Sequence, residues 1–278
     1  MSIKHPNPLI KRLYRFWKRL FMNDQEIVLE KRRDDFGPLK VTEAEGYRFL
    51  YFGEQTEQSC SFIADPAWLE YDYTRSMLLG LFWRSRPRDV LLLGLGGGAL
   101  ANCLLKYFEP QKLTAVELRP AVVELASRWL GLSQDERFYI GIGCAEAHVN
   151  GAPASCDLLF MDLYMEGGIS KLQLQSDFFR ACHQALRPGG VMVINQWQMG
   201  DTGQPYAARM LEELFGSEYL QLPVEEGNIL LFVPASGSLH LSKPEMLSWA
   251  DDLESRLGYS LRPYIEALRR AADAPSLA

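Results

Sequence analysis

The stretch Val90-Leu91-Leu92-Leu93-Gly94-Leu95-Gly96-Gly97-Gly98-Ala99 decides the fold of this 278-residue chain. Its first four residues, all apolar, read as a strand buried on both faces. The glycines that follow read as a turn in which a ligand can approach bare backbone, and Ala99 opens a helix whose N-terminus favours an anion or carboxylate. Glu117 stands 19 residues after Gly98, at the end of the next apolar run. An acid at that place commonly accepts hydrogen bonds from ribose hydroxyls. Gly94-x-Gly96-x-x-Ala99 also satisfies the dinucleotide pattern G-x-G-x-x-G/A, so the motif alone leaves NAD and FAD open beside other nucleosides.

Working outward, strand-like runs at Val90–Leu93, Leu113–Glu117, Phe138–Ile142, Leu158–Asp162 and Val191–Asn195 alternate with helical segments near 99–108, 120–130, 174–186 and 205–215. That alternation predicts a doubly wound α/β domain, mostly parallel, over residues 65–235. Leu220–Pro223 and Ile229–Val233 flank Glu225-Glu226-Gly227-Asn228 and predict an antiparallel hairpin at the sheet's edge. Upstream, short alternating stretches punctuated by Gly37-Pro38, Gly46 and Gly53 predict a small antiparallel β domain over 26–64, and Asp65-Pro66 is expected to start a helix running to Phe82. Ala185-Leu-Arg-Pro188-Gly189-Gly190 reads as a helix end and reversal. Residues 236–278 are expected to form C-terminal helices.

Composition narrows the function classes. The chain carries 29 Lys+Arg against 35 Asp+Glu, a net charge of −6, which argues against nucleic acid as a partner because phosphate contacts reward a positive surface. The charge is unevenly spread: residues 1–20 hold Lys4, Lys11, Arg12, Arg15, Lys18 and Arg19 and no acid. With Leu9, Leu13, Trp17, Leu20 and Phe21 at helical spacing, residues 1–25 predict a basic amphipathic helix. No window approaches the ~18 consecutive apolar residues of a membrane span. Cys60, Cys103, Cys144, Cys156 and Cys182 include no C-x-x-C pair, so neither a disulfide framework nor a metal site is expected, and the reading is cytoplasmic.

Cys156-Asp-Leu-Leu-Phe-Met-Asp162-Leu-Tyr164 places a carboxylate at the C-terminal end of a core strand, facing the crevice where open α/β sheets bind ligands. Together with Gln58-Ser59, Tyr73-Thr-Arg-Ser-Met77, Gly94–Gly98 and Val116-Glu-Leu-Arg-Pro120, it makes the region from about Glu26 to Val233 resemble the class I S-adenosylmethionine-dependent transferases. The resemblance is closest to their spermidine synthase-like branch. It implies a Rossmann-like class I methyltransferase fold, with a seven-stranded sheet ending in an antiparallel hairpin and a small N-terminal β domain. It further implies S-adenosylmethionine or its decarboxylated form as co-substrate without a metal, a small-molecule amine as acceptor, and a homodimer.

Residue by residue, the resemblance puts Gly94, Gly96 and Gly98 against the nucleoside, Glu117 on its ribose, and Cys144 and Ala145 at the adenine edge. Gln58 belongs with the donor contacts at the mouth of the amine site, and Tyr73 and Tyr164 line the acceptor's side. Asp162 matches the catalytic carboxylate, which orients and helps deprotonate an amine attacking the carbon beside the sulfonium. The chain departs from the branch at three acids: Gly97 stands in the first loop, Met165 three residues after Asp162, and Cys144 near the adenine. A diamine's far ammonium would lack a partner, so putrescine is not the expected acceptor. Glu166 and Glu146 are the nearby acids that could substitute, and Glu166 is taken as the candidate. Met165-Glu-Gly167-Gly168 reads as a lid. Methyl transfer on the same fold, and a nucleoside- or partner-binding protein without catalysis, stay as alternatives.

Overall fold

The computed structural model describes residues 26–200, 202–225 and 227–273. The expected basic helix at 1–25 lies outside them. Four strands, β1 (Ile27–Asp34), β2 (Gly37–Ala44), β3 (Tyr47–Phe52) and β4 (Thr56–Phe62), form an antiparallel meander. Glu45 and Gly46 both take positive φ, as the two-residue hairpin turn between the paired Ala44 and Tyr47 requires. Period-two alternation then sorts the faces: Leu39, Val41, Leu50 and Phe52 join the main core, while Tyr47, Phe49, Tyr51 and Cys60 cluster on the other side.

The large sheet contains β5 (Asp89–Leu93), β6 (Lys112–Glu117), β7 (Phe138–Ile142), β8 (Cys156–Met161), β11 (Leu186–Trp197), β12 (Leu220–Pro223), β13 (Asn228–Pro234) and β14 (Arg269–Arg270). Their order is β14-β12-β13-β11-β8-β5-β6-β7. The run from β11 to β7 is parallel, and β13, β12 and β14 are antiparallel. The sheet thus has eight strands rather than seven, because Arg269–Arg270 pair with Leu220 and Gln221 along the hairpin's outer strand.

Both faces are covered, which is why the central strands are continuously apolar. Val90 and Leu92 face one core with helices α3 (Ala99–Tyr107), α4 (Pro120–Trp129) and α8 (Lys243–Leu257); Leu91 and Leu93 face the other with α5 (Ala145–Asn150), α6 (Ser176–Gln184) and α7 (Ala208–Phe215). Each leucine so removed from water contributes about 1.5–3 kcal/mol. The helix expected from Asp65 starts later, as α1 (Asp72–Met77) followed by α2 (Gly80–Trp83). Asp65 instead closes a turn, accepting from Trp68 N at 2.9 Å with its carbonyl and from Ala67 N at 3.2 Å with its carboxylate. The Pro188-Gly189-Gly190 reversal is absorbed into β11, where the pairing with β8 slips between Leu186 and Val191. A last helix, α9 (Arg262–Ala267), leads into β14.

Candidate active site

The C-terminal ends of β5, β6 and β8 open into a cleft, the place where open α/β sheets bind ligands. The small sheet closes its far side. Gln58, Ser59 and Cys60 of β4 and Tyr73 and Thr74 of α1 share the lining with Gly94, Gly96, Gly98, Glu117, Cys144, Ala145, Asp162 and Tyr164. Ten of the eleven candidate residues therefore meet in one cavity.

The glycine turn is tight because two other elements crowd it. Gly94, at φ 94°, lies where a Cβ would run into the Asp162 carbonyl, and Asp162 N donates to Leu93 O at 2.9 Å. A Cβ on Gly96 would stand 2.6 Å from Ser59 Oγ, the same oxygen that accepts from Gly97 N at 2.8 Å. Sequence reasoning quoted Ser59 only beside Gln58. No local pattern signals that its hydroxyl would brace a loop almost forty residues away.

Glu117 is 7% exposed. Its Oε2 accepts from Leu95 N at 3.1 Å and its Oε1 from Arg119 N at 3.0 Å. Burial pushes this carboxyl above its ordinary value, opposed by those backbone N–H groups. A carboxylate oxygen has room for further donors, so Glu117 can brace the loop and still receive ribose hydroxyls. Arg119, 1% exposed, turns the other way. Its Nε and Nη2 donate to Asp34 at 3.0 and 2.7 Å, Nη2 reaches Gly37 O at 2.9 Å, and the guanidinium stacks 4.6 Å from the Phe52 ring. Burial raises the Asp34 carboxyl, but the hydrogen bonds from Arg119 and Phe36 N outweigh it and hold the group below its ordinary value. Arg119 thereby ties the small sheet to the strand end that carries Glu117.

At the other end of the cleft, Asp162 keeps part of its surface on the cavity while burial pushes its pKa up to about 6, against hydrogen bonds from Asn195 and Tyr73. Asn195 Nδ2 donates to Asp162 Oδ1 at 2.8 Å. Tyr73 stacks on Tyr71 with ring centroids 5.7 Å apart, which fixes the ring beside the carboxyl. Burial raises the Tyr164 phenol well above its ordinary range, so it acts as a neutral hydrogen-bonding group. Asn195 and Asn228 were not singled out from the sequence: Asn195 reads there only as the end of a strand run, and Asn228 as a turn residue.

Glu166 is the candidate that leaves the site. Its carboxylate lies against the turn glycines Gly37 and Gly53, and neither it nor Glu146 lines the cleft. The segment read as a lid folds into a hairpin of β9 (Tyr164–Met165) and β10 (Gly168–Ile169), pinned where Ser170 N and Gln173 Nε2 each donate to Leu163 O at 2.9 Å. The hairpin swings Glu166 outward and leaves Met165 on the cavity wall. Cys144, exposed, precedes α5 and lines the same wall. Among the described residues no group of three or more His, Cys, Asp or Glu could hold a metal ion, and no helix is long and apolar enough to cross a membrane.

Residues 73–203 match the family model described as "Spermine/spermidine synthase domain". The polyamine aminopropyltransferase of Chromobacterium violaceum is 28% identical over 240 residues, covering 84% of this chain and 89% of that protein. The eEF1A lysine and N-terminal methyltransferase of Xenopus laevis is 27% identical over 210 residues, covering 69% of this chain and 30% of that protein. Among solved structures, a probable spermidine synthase from Corynebacterium glutamicum superposes with a TM-score of 0.66 at 21% identity, covering 81% of this chain and 86% of that one. The three likenesses converge: residues 73–203 resemble a spermine/spermidine synthase domain, most of the chain is similar to polyamine aminopropyltransferases, and its fold is that of a spermidine synthase.

Proposed function

We propose that this chain is an aminopropyltransferase that uses decarboxylated S-adenosylmethionine and a small amine acceptor other than putrescine. The observation that carries this reading is the two-ended cleft, with Glu117 and the glycine turn at one end and Asp162 with Tyr73 at the other. The cleft fits a nucleoside donor: the turn crowds out any Cβ, and Glu117 keeps acceptor capacity beside it. When bound, that donor supplies the electrophilic carbon and a good leaving group.

The chain's own work is alignment and proton removal. Glu117 and the turn backbone hold the nucleoside, with Cys144, Ala145 and Gln58 along its sides. Tyr73 and Tyr164 flank the acceptor. Asp162, ionised above about pH 6, accepts the proton that the amine must lose. Much of the acceleration comes from holding nucleophile and carbon in line, since alignment alone can lower a barrier by about 7–11 kcal/mol. Met165 offers no charge to a second ammonium, which favours an acceptor with one amine. In this reading residues 26–64 form a small β domain that walls the donor end through Gln58, 65–235 the nucleoside-binding catalytic domain, 236–278 C-terminal helices, and two chains pair as a homodimer.

Methyl transfer is the second reading, favoured by the likeness to the Xenopus methyltransferase. Mass spectrometry of the nucleoside product separates the two. Methylthioadenosine from the decarboxylated donor, with an acceptor heavier by an aminopropyl group, is the expected result. S-adenosylhomocysteine with a methylated acceptor would overturn it.

A further inference from the structure

Two buried amides connect the outer hairpin to the acceptor end of the cleft. Asn195 on β11 is 1% exposed and Asn228, the first residue of β13, is 7% exposed. Asn228 Nδ2 donates to Asn195 Oδ1 at 2.8 Å, and Asn195 Nδ2 donates to Asp162 Oδ1 at 2.8 Å. A primary amide can be turned end for end, and its neighbours decide which end faces where. Turning Asn195 would set its oxygen against the Asp162 carboxylate and its NH2 against the NH2 of Asn228. Asn228 therefore fixes Asn195 as a donor without touching Asp162 itself. Tyr164 closes the circuit, its hydroxyl donating to Asn195 O at 3.3 Å and standing 3.4 Å from Asn228 Nδ2.

We propose that the Asn228–Asn195 amide pair is the positioning device that keeps Asp162 ionised and leaves its second carboxylate oxygen for Tyr73 and the incoming amine. This deepens the aminopropyl-transfer reading and rests on Asp162 as its proton acceptor. Asn228 lies beyond residues 73–203, the part of the chain that the family model matches, so the pair ties the acid to a segment outside that match. The titratable groups facing Asp162 are Tyr73 from α1 and Tyr164 from the β9–β10 hairpin. Glu70, Glu117 and Arg119 are charged groups elsewhere on the cavity wall, and the influences on Asp162 are burial, Asn195 and Tyr73.

The test titrates Asp162 directly, by carbon NMR of aspartate-labelled protein without substrates, with Asp162→Asn assigning the signal. Asn195→Leu deletes a hydrogen bond to a charged group, which moves the midpoint up by about one to two pH units. Asn228→Leu frees the Asn195 amide to turn and moves it up by less. Asn228→Asp presents only acceptors, forces Asn195 to turn, and moves it up at least as far as Asn195→Leu. Should Asn195→Leu fail to fold, the two Asn228 variants, one step farther from the cleft, carry the test. A purely structural role would lower the melting temperature and leave the midpoints in place, and that result overturns the proposal. A shift in Asn195→Leu with none in either Asn228 variant overturns the paired assignment. Because the titration needs no turnover, moved midpoints in a chain that transfers nothing would sink the reaction and keep the relay. Aminopropyl transfer with unmoved midpoints would do the reverse.

Discussion

Replacing Asp162 by asparagine should make the protein more stable at neutral pH while stopping turnover. Burial lifts this carboxyl from an ordinary 3.8 to about 6, so the folded chain holds its proton over a range where the unfolded chain has released it. The sign follows from linkage: below 3.8 both states are protonated, between 3.8 and about 6 stability falls as pH rises, and above that the loss is complete. At about 1.4 kcal/mol per pH unit the gap corresponds to about 3 kcal/mol. That is an upper bound, because Asp162 keeps part of its surface on the cavity. Asparagine has the same shape, can accept from Asn195 with its oxygen, and carries no charge to desolvate. The gain at pH 7.5 should therefore be about 1.5–3 kcal/mol, raising the melting temperature by several degrees. Turnover should fall by about 10²–10⁴-fold, the usual contribution of a positioned base. Urea denaturation of both proteins between pH 4.5 and 8 reads the difference. A stability difference that stays constant across this range, or asparagine losing ground as pH rises, would refute the reasoning.

Three further outcomes follow from the same geometry. Glu117→Gln sets an NH2 against one of two backbone N–H groups, so nucleoside-donor affinity should weaken by about 10–100-fold in isothermal titration; unchanged affinity would remove Glu117 from the donor site. Arg119→Met leaves Asp34 without its guanidinium. It should cost about 2–3 kcal/mol, less than a fully buried pair because Asp34 is 21% exposed, and hydrogen exchange should quicken across 27–62 before the large sheet. Met165→Asp places a carboxylate on the acceptor wall, and kcat/KM for diamines should rise about tenfold or more relative to monoamines; an unaltered preference would mean that another residue sets acceptor charge.

The parts of the fold that were legible in the sequence are those set by local periodicity. Val90–Leu93 is apolar throughout, and Leu113–Val116 is apolar but for Thr114, because helices cover both faces, and the glycines after Leu93 mark a turn that leaves no room for side chains. Gly94, Glu117 and Asp162 were readable as candidates that would meet in one cleft because each sits at the end of such a strand. The supporting shell was not, since its partners are remote in sequence: Ser59 braces Gly97, Asp34 holds Arg119, and Asn228 reaches Asp162 through Asn195. Glu166 misled for the opposite reason. Nearness in sequence put it beside Asp162, but the two-residue strands after Leu163 turn its carboxylate toward Gly37 and Gly53. β14 was equally hidden, because Arg269–Arg270 has no strand pattern and pairs only because Leu220 and Gln221 offer an open edge.

The hydrogen bond from Gly97 N to Ser59 Oγ spans two sheets that are contiguous neither in sequence nor in hydrogen bonding. Its consequence reaches into how the protein matures. Residues 65–235 hold the glycine turn, Glu117 and Asp162, yet a chain shortened to them would open the nucleoside cleft along the wall that Gln58, Ser59 and Cys60 supply. During synthesis the amino-terminal meander emerges first and must wait for the later strands before it has anything to dock on. On the proposed reading, donor binding begins only once the whole molecule has assembled, so a tight nucleoside complex would certify completed folding, and nucleoside added during refolding would favour the finished state over its halves.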